Sequence, residues 1–202
     1  YDIKVDPAQE KDVAETYPDV VKALRSDYSD FWKEVSKEHE ITSYILIGNE
    51  QAPLVSLSSH DWLIEKLPPW NQTHVIKGEV AKVSYWAIEV EHAGDYEISL
   101  RRWPVEADKA INDGTYGKAF SYHTARLRIG DIEETVAIPV GAKEVTFKVT
   151  LPDGLLKLSP IFISDEIQAT PYYAYITHQP KPDWQTPKGM NIPIYDPSRG
   201  RT

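Results

Sequence analysis

Between Tyr85 and Thr177, apolar side chains recur at every second position, in short runs separated by turn residues. Trp86, Ile88 and Val90 alternate with Tyr85, Ala87 and Glu89. Tyr96, Ile98 and Leu100 alternate with Glu97, Ser99 and Arg101. Val145, Phe147, Val149 and Leu151 repeat the pattern, which stops at Pro152-Asp153-Gly154. Successive side chains of a strand point to opposite faces, so each run has one face to bury. Ala93-Gly94-Asp95 predicts a turn that folds the first two runs into a hairpin. Gly130-Asp131 predicts a second hairpin, between residues 121–129 and 132–138. Residues 155–163 and 172–177 complete the set, with shorter strands predicted at 41–47 and 55–57. Many short strands at regular turn spacing define a mainly β chain, a β-sandwich of jelly-roll-like type.

The first forty residues follow a different period. Tyr17-Pro18-Asp19 predicts a helix start, because proline fits the first turn and an aspartate complements the positive helix end. Val20, Val21, Leu24, Tyr28, Phe31, Trp32 and Val35 then recur at helical spacing. This broad aromatic stripe needs a partner surface, either the downstream β domain or the sheet of another domain. Residues 58–78 follow neither period and read as loop. From Gln179 the chain is rich in proline and poor in periodic apolar residues, the mark of an extended tail. The expected organisation is a helical segment 1–40, a sandwich 41–178 and a tail 179–202.

Composition narrows the function. With 202 residues, the chain can bury a core without covalent staples. A net charge of −9 disfavours nucleic acid and anionic membrane surfaces as partners. The absence of cysteine excludes disulfides, thiolate zinc sites and a cysteine nucleophile. No apolar run is long enough to span a bilayer. The six histidines fall in no metal-ligand spacing, so no metal site is expected in this chain. Ser58-Ser59-His60-Asp61 holds the residue types of a catalytic triad, but adjacency along the chain is no evidence for one.

Two stretches carry binding chemistry. Ser59-His60-Asp61-Trp62 and Pro69-Trp70-Asn71-Gln72 place two indoles among amide and acid groups. Sugar sites use this combination: an apolar ring face stacks on an indole while amides bond the hydroxyls. His60, Asp61, Trp62, Trp70, Asn71 and Gln72 are therefore glycan-contact candidates. The alternative is that the tryptophans plug the end of the sandwich. The second stretch is Arg101-Arg102-Trp103, at the end of a predicted strand. Either arginine could hold a carboxylate or sulfate through its planar fork, or pair internally with Glu106 or Asp108.

Tyr1-Asp2-Ile3-Lys4-Val5-Asp6-Pro7 reads as a strand running into a turn before polar, helix-favouring residues. It resembles the segment that closes the catalytic domain of arylsulfatase-type sulfatases. Trp86-Ala87-Ile88-Glu89-Val90 and Ala93-Gly94-Asp95-Tyr96 through Leu100-Arg101-Arg102-Trp103-Pro104 resemble the C-terminal extension of certain bacterial arylsulfatases. The Ser-His-Asp-Trp and Pro-Trp-Asn-Gln pieces belong to the same resemblance. It implies a non-catalytic C-terminal domain of a periplasmic or secreted sulfuric ester hydrolase. That domain would brace an upstream catalytic domain of the same polypeptide and contribute to binding a sulfated glycan. The family makes its formylglycine from a Cys/Ser-x-Pro-x-Arg motif, which does not occur here. Catalysis and the family's calcium would then belong to the parent catalytic domain, and this chain would hold no cofactor and be inactive alone. The competing expectations are a stand-alone carbohydrate-binding module and a purely structural sandwich.

Overall fold

The computed structural model describes residues 1–63, 71–77 and 84–179. The chain divides into two compact units, one running from Tyr1 to Thr42 and one beginning at Ser43.

In the first unit, residues 1–5 form a turn where the sequence predicts a strand. The N–H groups of Val5 and Asp6 both donate to the Asp2 carbonyl, at 3.1 and 2.8 Å. The Asp6 carboxylate then accepts from the N–H groups of Lys11 and Glu10, at 2.8 and 3.1 Å. Those bonds, Lys11 foremost, hold its pKa below the usual carboxylate range. Helix α1 (Pro18–Val35) begins where the sequence predicts, with Pro18 in its first turn, Asp19 near its positive end and Lys33 in its last turn. It buries none of its residues. Val20, Leu24, Tyr28, Phe31, Trp32 and Val35 are all exposed. Tyr28 and Trp32, one turn apart, stack with ring centroids 6.4 Å apart.

The second unit is a β-sandwich. One sheet contains β1 (Ile45–Ile47), β3 (Trp86–Val90), β8 (Gly154–Ile163), β5 (Thr124–Ile129) and β6 (Ile132–Ala137) in that spatial order, with β9 (Gln168–Ala169) paired to β8. The other runs β2 (Leu54–Ser58), β10 (Tyr173–Gln179), β4 (Gly94–Arg101), β7 (Val145–Leu151). The chain changes sheet at most of its connections, as jelly rolls do. Strand positions follow the alternation. Along β7 buried and exposed residues alternate without a break, and Phe147, Val149 and Leu151 meet Ile98, Leu100, Ala174, Leu127 and Leu158 in the inter-sheet core.

Two expectations about pairing part company. β5 and β6 do form a hairpin, closed at Ile129–Ile132 with Gly130 at φ 56°, a backbone that favours glycine in a two-residue turn. β3 and β4 do not pair. β3 lies antiparallel to β8 and β4 lies between β10 and β7, so residues 91–93 cross from one sheet to the other. Alternation and a turn fix which faces are buried, but both arrangements bury the same faces. Trp86 joins the sheets from within: it is fully buried on β3, and its Nε1–H donates to the Ser58 carbonyl of β2 at 2.7 Å.

This topology gathers one end of the sandwich. Tyr173, the first residue of β10, is registered with Ser58 at the end of β2 and with Arg101 at the end of β4. Both long connections, 59–85 and 102–123, leave the sheets from this end.

Candidate functional site

The end of β2 turns directly into a one-turn 3₁₀ helix, Ser59–Asp61. Its cap uses the residue types that resembled a triad. The Asp61 carboxylate accepts from the Ser58 N–H at 3.1 Å and the Ser58 hydroxyl at 3.2 Å, while Ser58 Oγ accepts from the His60 N–H at 3.3 Å. Asp61 is thereby occupied as a capping group, and His60 is exposed.

Helix α2 (Gln72–Lys77) follows within residues that the sequence reads as loop. Asn71 caps it: the Asn71 Oδ1 accepts from the Thr73 N–H at 2.8 Å. An asparagine just ahead of Val75 and Ile76 was the available signal for this helix. Asn71 thus serves the backbone through the atom expected to bond a sugar hydroxyl. Gln72 opens α2, and the structure describes its backbone only. Trp70 lies outside the described residues.

Between these elements is a hollow of ≈350 Å³, at the small end of the ~300–1,000 Å³ spanned by ligand clefts. Ser58, Ser59 and His60 line one side and Val75 and Ile76 of α2 another. Trp103 and Pro104, which follow β4, and Tyr173 complete it. Two glycan candidates, His60 and Trp103, therefore meet at one place. Trp103 is only 5 % exposed, and its buried Nε1–H has no hydrogen-bond partner among the described residues. Burial, ahead of the neighbouring Tyr175 and Glu106, raises the Tyr173 pKa, so its hydroxyl keeps its proton in neutral solution. Sequence reasoning singled out neither Val75 nor Ile76.

The remaining candidates lie inside. Trp62, 3 % exposed, stacks on Tyr172 at 5.6 Å and meets Trp86 edge-on at 6.0 Å. It plugs the sandwich end, which is the packing alternative rather than an open stacking platform. Arg101, on the outward face of β4 yet 5 % exposed, donates from Nη1 to Glu144 Oε2 at 2.6 Å and from Nε to the Trp103 carbonyl at 3.2 Å. Its partner is neither Glu106 nor Asp108; Asp108 instead binds Lys143 at 2.6 Å. The reason is register: β7 neighbours β4, and Glu144 immediately precedes β7.

Arg102 is 2 % exposed, and among the described residues no carboxylate is hydrogen-bonded to it. Its Nη1 donates to the carbonyls of Ile111 and Asp113, at 3.4 and 3.0 Å, and its Nη2 to that of Lys118 at 2.6 Å. The guanidinium lies over the rings of Phe120 and Trp103, 4.4 and 4.6 Å from their centroids. Burial lowers its pKa. Burial likewise pushes the nearby Tyr122 hydroxyl up to about 12 and raises that of Tyr172 further. Among the described residues, no group of three His, Cys, Asp or Glu side chains could hold a metal ion.

No family model matches the chain, and no curated protein matches it. Several solved structures are similar at low level, three of them as follows. A native family 35 carbohydrate binding module from Clostridium thermocellum is 12% identical, with a TM-score of 0.38, covering 63% of this chain and 100% of that one. A family 35 carbohydrate-binding module from a Cellvibrio japonicus protein is 20% identical, with a TM-score of 0.34, covering 47% and 64%. A ruminal GH26 endo-β-1,4-mannanase is 15% identical, with a TM-score of 0.41, covering 68% of this chain. The chain spans 28% of the mannanase's length and 64% of the Cellvibrio module's. The fold therefore stands on its own strand pairing, and the ligands named for those proteins remain theirs.

Proposed function

We propose that the sandwich is a carbohydrate-binding domain and that its ligand, an uncharged glycan, sits in the hollow beside Trp103. The observation that carries this reading is the buried indole N–H of Trp103, unpartnered among the described residues, at a hollow that apolar Val75, Ile76 and Pro104 also line. A sugar ring suits the apolar lining, and its hydroxyl oxygen would satisfy the N–H once a small shift of the indole uncovers it. Tyr173, another lining residue, carries a neutral hydroxyl. The preference for an uncharged sugar over a sulfated one follows from the arginines: Arg101 is neutralised by Glu144, and Arg102 is taken up by carbonyls.

Trp103→Phe keeps an aromatic ring and deletes the donor. Affinity electrophoresis against a panel of soluble plant β-glycans and sulfated galactans should find a retarding neutral polymer. The variant should weaken that binding by roughly five- to twentyfold, as expected for about 1–2 kcal/mol per lost hydrogen bond. Raising salt from about 50 to about 500 mM should leave it within about twofold, since screening acts on charged ligands. Retardation by sulfated galactan alone, abolished by salt, would overturn the choice of ligand. Retardation by no polymer would overturn the reading itself.

A second reading draws on the first unit. Helix α1 presents Val20, Leu24, Tyr28, Phe31, Trp32 and Val35 outward, which suits a segment that braces a neighbouring domain. A sulfatase catalytic domain as that neighbour rests on the residue resemblance of 1–40 and 56–104.

A further inference from the structure

Arg102 is almost wholly buried and does not line the hollow, yet both flanks of the hollow depend on what it holds. On one flank its guanidinium lies against the ring of Trp103. On the other it binds the carbonyls of Ile111, Asp113 and Lys118, drawing together the connection between β4 and β5. That connection in turn carries α2. The Lys118 N–H donates to the Ile76 carbonyl at 3.2 Å. Gly117 approaches so closely that a Cβ there would stand 2.0 Å from the Ile76 oxygen. Val75 and Ile76 are the residues through which α2 lines the hollow.

We infer that Arg102 is a positioning residue for this hollow, a clasp that sets the spacing between Trp103 and α2. Neither a buried hydrophobe nor a lysine reproduces it. A lysine is a point donor on a flexible stem, whereas the guanidinium spreads its donors in a rigid plane that also stacks on rings. A role confined to core packing would need volume at this place, not a fan of donors aimed at one loop. The clasp is a statement about the hollow's geometry; its consequence for ligand affinity rests on the sugar reading above.

The test is amide exchange by NMR on the full chain, wild type against Arg102→Met, Arg102→Lys and Gly117→Ala. Methionine keeps length and apolar bulk. Its expected result is at least about tenfold faster exchange at Lys118 and Phe120, with the amides of β4, β5 and β8 unchanged. Lysine should fall between methionine and wild type. Gly117→Ala attacks the same chain from its far end, so it should free the Lys118 amide while leaving Arg102 bound to Ile111 and Asp113. Uniform acceleration across both sheets in Arg102→Met would reduce Arg102 to a general stability element and overturn the clasp. So would a protected Lys118 amide in both Arg102→Met and Gly117→Ala. Local acceleration in a protein whose wild type binds no polysaccharide would leave the clasp standing and remove the sugar reading.

Discussion

Trp86, Ile98 and Phe147 lie sealed between two sheets, whereas Tyr28, Phe31 and Trp32 lie on the surface of α1 in the other unit. Both groups sit in strongly periodic sequence, and both patterns announce a face that favours burial. Among the described residues, only in the sandwich does the chain return with a second such face. The difference teaches that periodicity states a demand, and that topology decides whether one polypeptide meets it. An amphipathic strand inside a sandwich is surrounded by others of its kind. An amphipathic helix in a unit of forty-two residues has little apolar surface to meet.

The largest test of that contrast is Phe147→Ala. Phe147 is almost wholly buried on β7, opposite Ile98 of β4. Its truncation should destabilise the sandwich by about 3–5 kcal/mol, from lost transfer energy and the cavity left behind. The measurement is the midpoint and slope of a urea transition followed by tryptophan fluorescence. A loss under about 1 kcal/mol would mean the core can collapse around the gap, and the sealed side of the comparison would fail.

How much of this was legible beforehand divides along the same line. The strands and their inward faces could be read from alternation, and the start of α1 from Tyr17-Pro18-Asp19. The partner of β3 could not, because its apolar face suits β8 and β4 equally and nothing local chooses between them. At the candidate site, the stretch containing His60 and the one containing Trp103 were both visible. Their meeting was not, since it depends on Tyr173 bringing the ends of β2 and β4 together in register. Trp62 and Arg102 drew attention through their chemistry, but both face the interior, where aromatic rings and loop carbonyls occupy them. Asn71 was read for its amide when its position ahead of α2 was the stronger signal.

A smaller effect sharpens the comparison within the sandwich, where burial is incomplete. His178, near the end of β10, stacks on Tyr96 with centroids 4.7 Å apart. Burial lowers its pKa from the ordinary 6.5, and the nearby His92 adds to the shift, against opposing influences of Asp95 and Glu50. A histidine with a depressed folded pKa binds its proton more readily when the chain is unfolded. Stability therefore rises with pH across the window between the folded value and 6.5, and is lost as pH falls through it. Denaturation midpoints at about pH 5 and about pH 7.5 should differ less in His178→Gln than in the wild type. An unchanged difference would assign the acid sensitivity to other groups.

The smallest expected effect belongs to the exposed side of the comparison. Phe31 stands on α1 with most of its ring in solvent. Phe31→Ser removes the ring, and the two residues have similar helix propensity, so the helix itself should barely change. With most of its ring already in solvent, its loss should shift the sandwich transition by no more than about 0.5 kcal/mol, the usual range for surface substitutions. Measured in the same urea experiment as Phe147→Ala, the two phenylalanines should differ roughly tenfold in cost, from the ranges for core and surface sites. A shift above about 1 kcal/mol for Phe31→Ser would sink the contrast, because a ring mostly in solvent has little such energy to lose. It would instead mean that the aromatic stripe is covered in solution, and concentration dependence of that shift would identify a second copy of the chain as the cover.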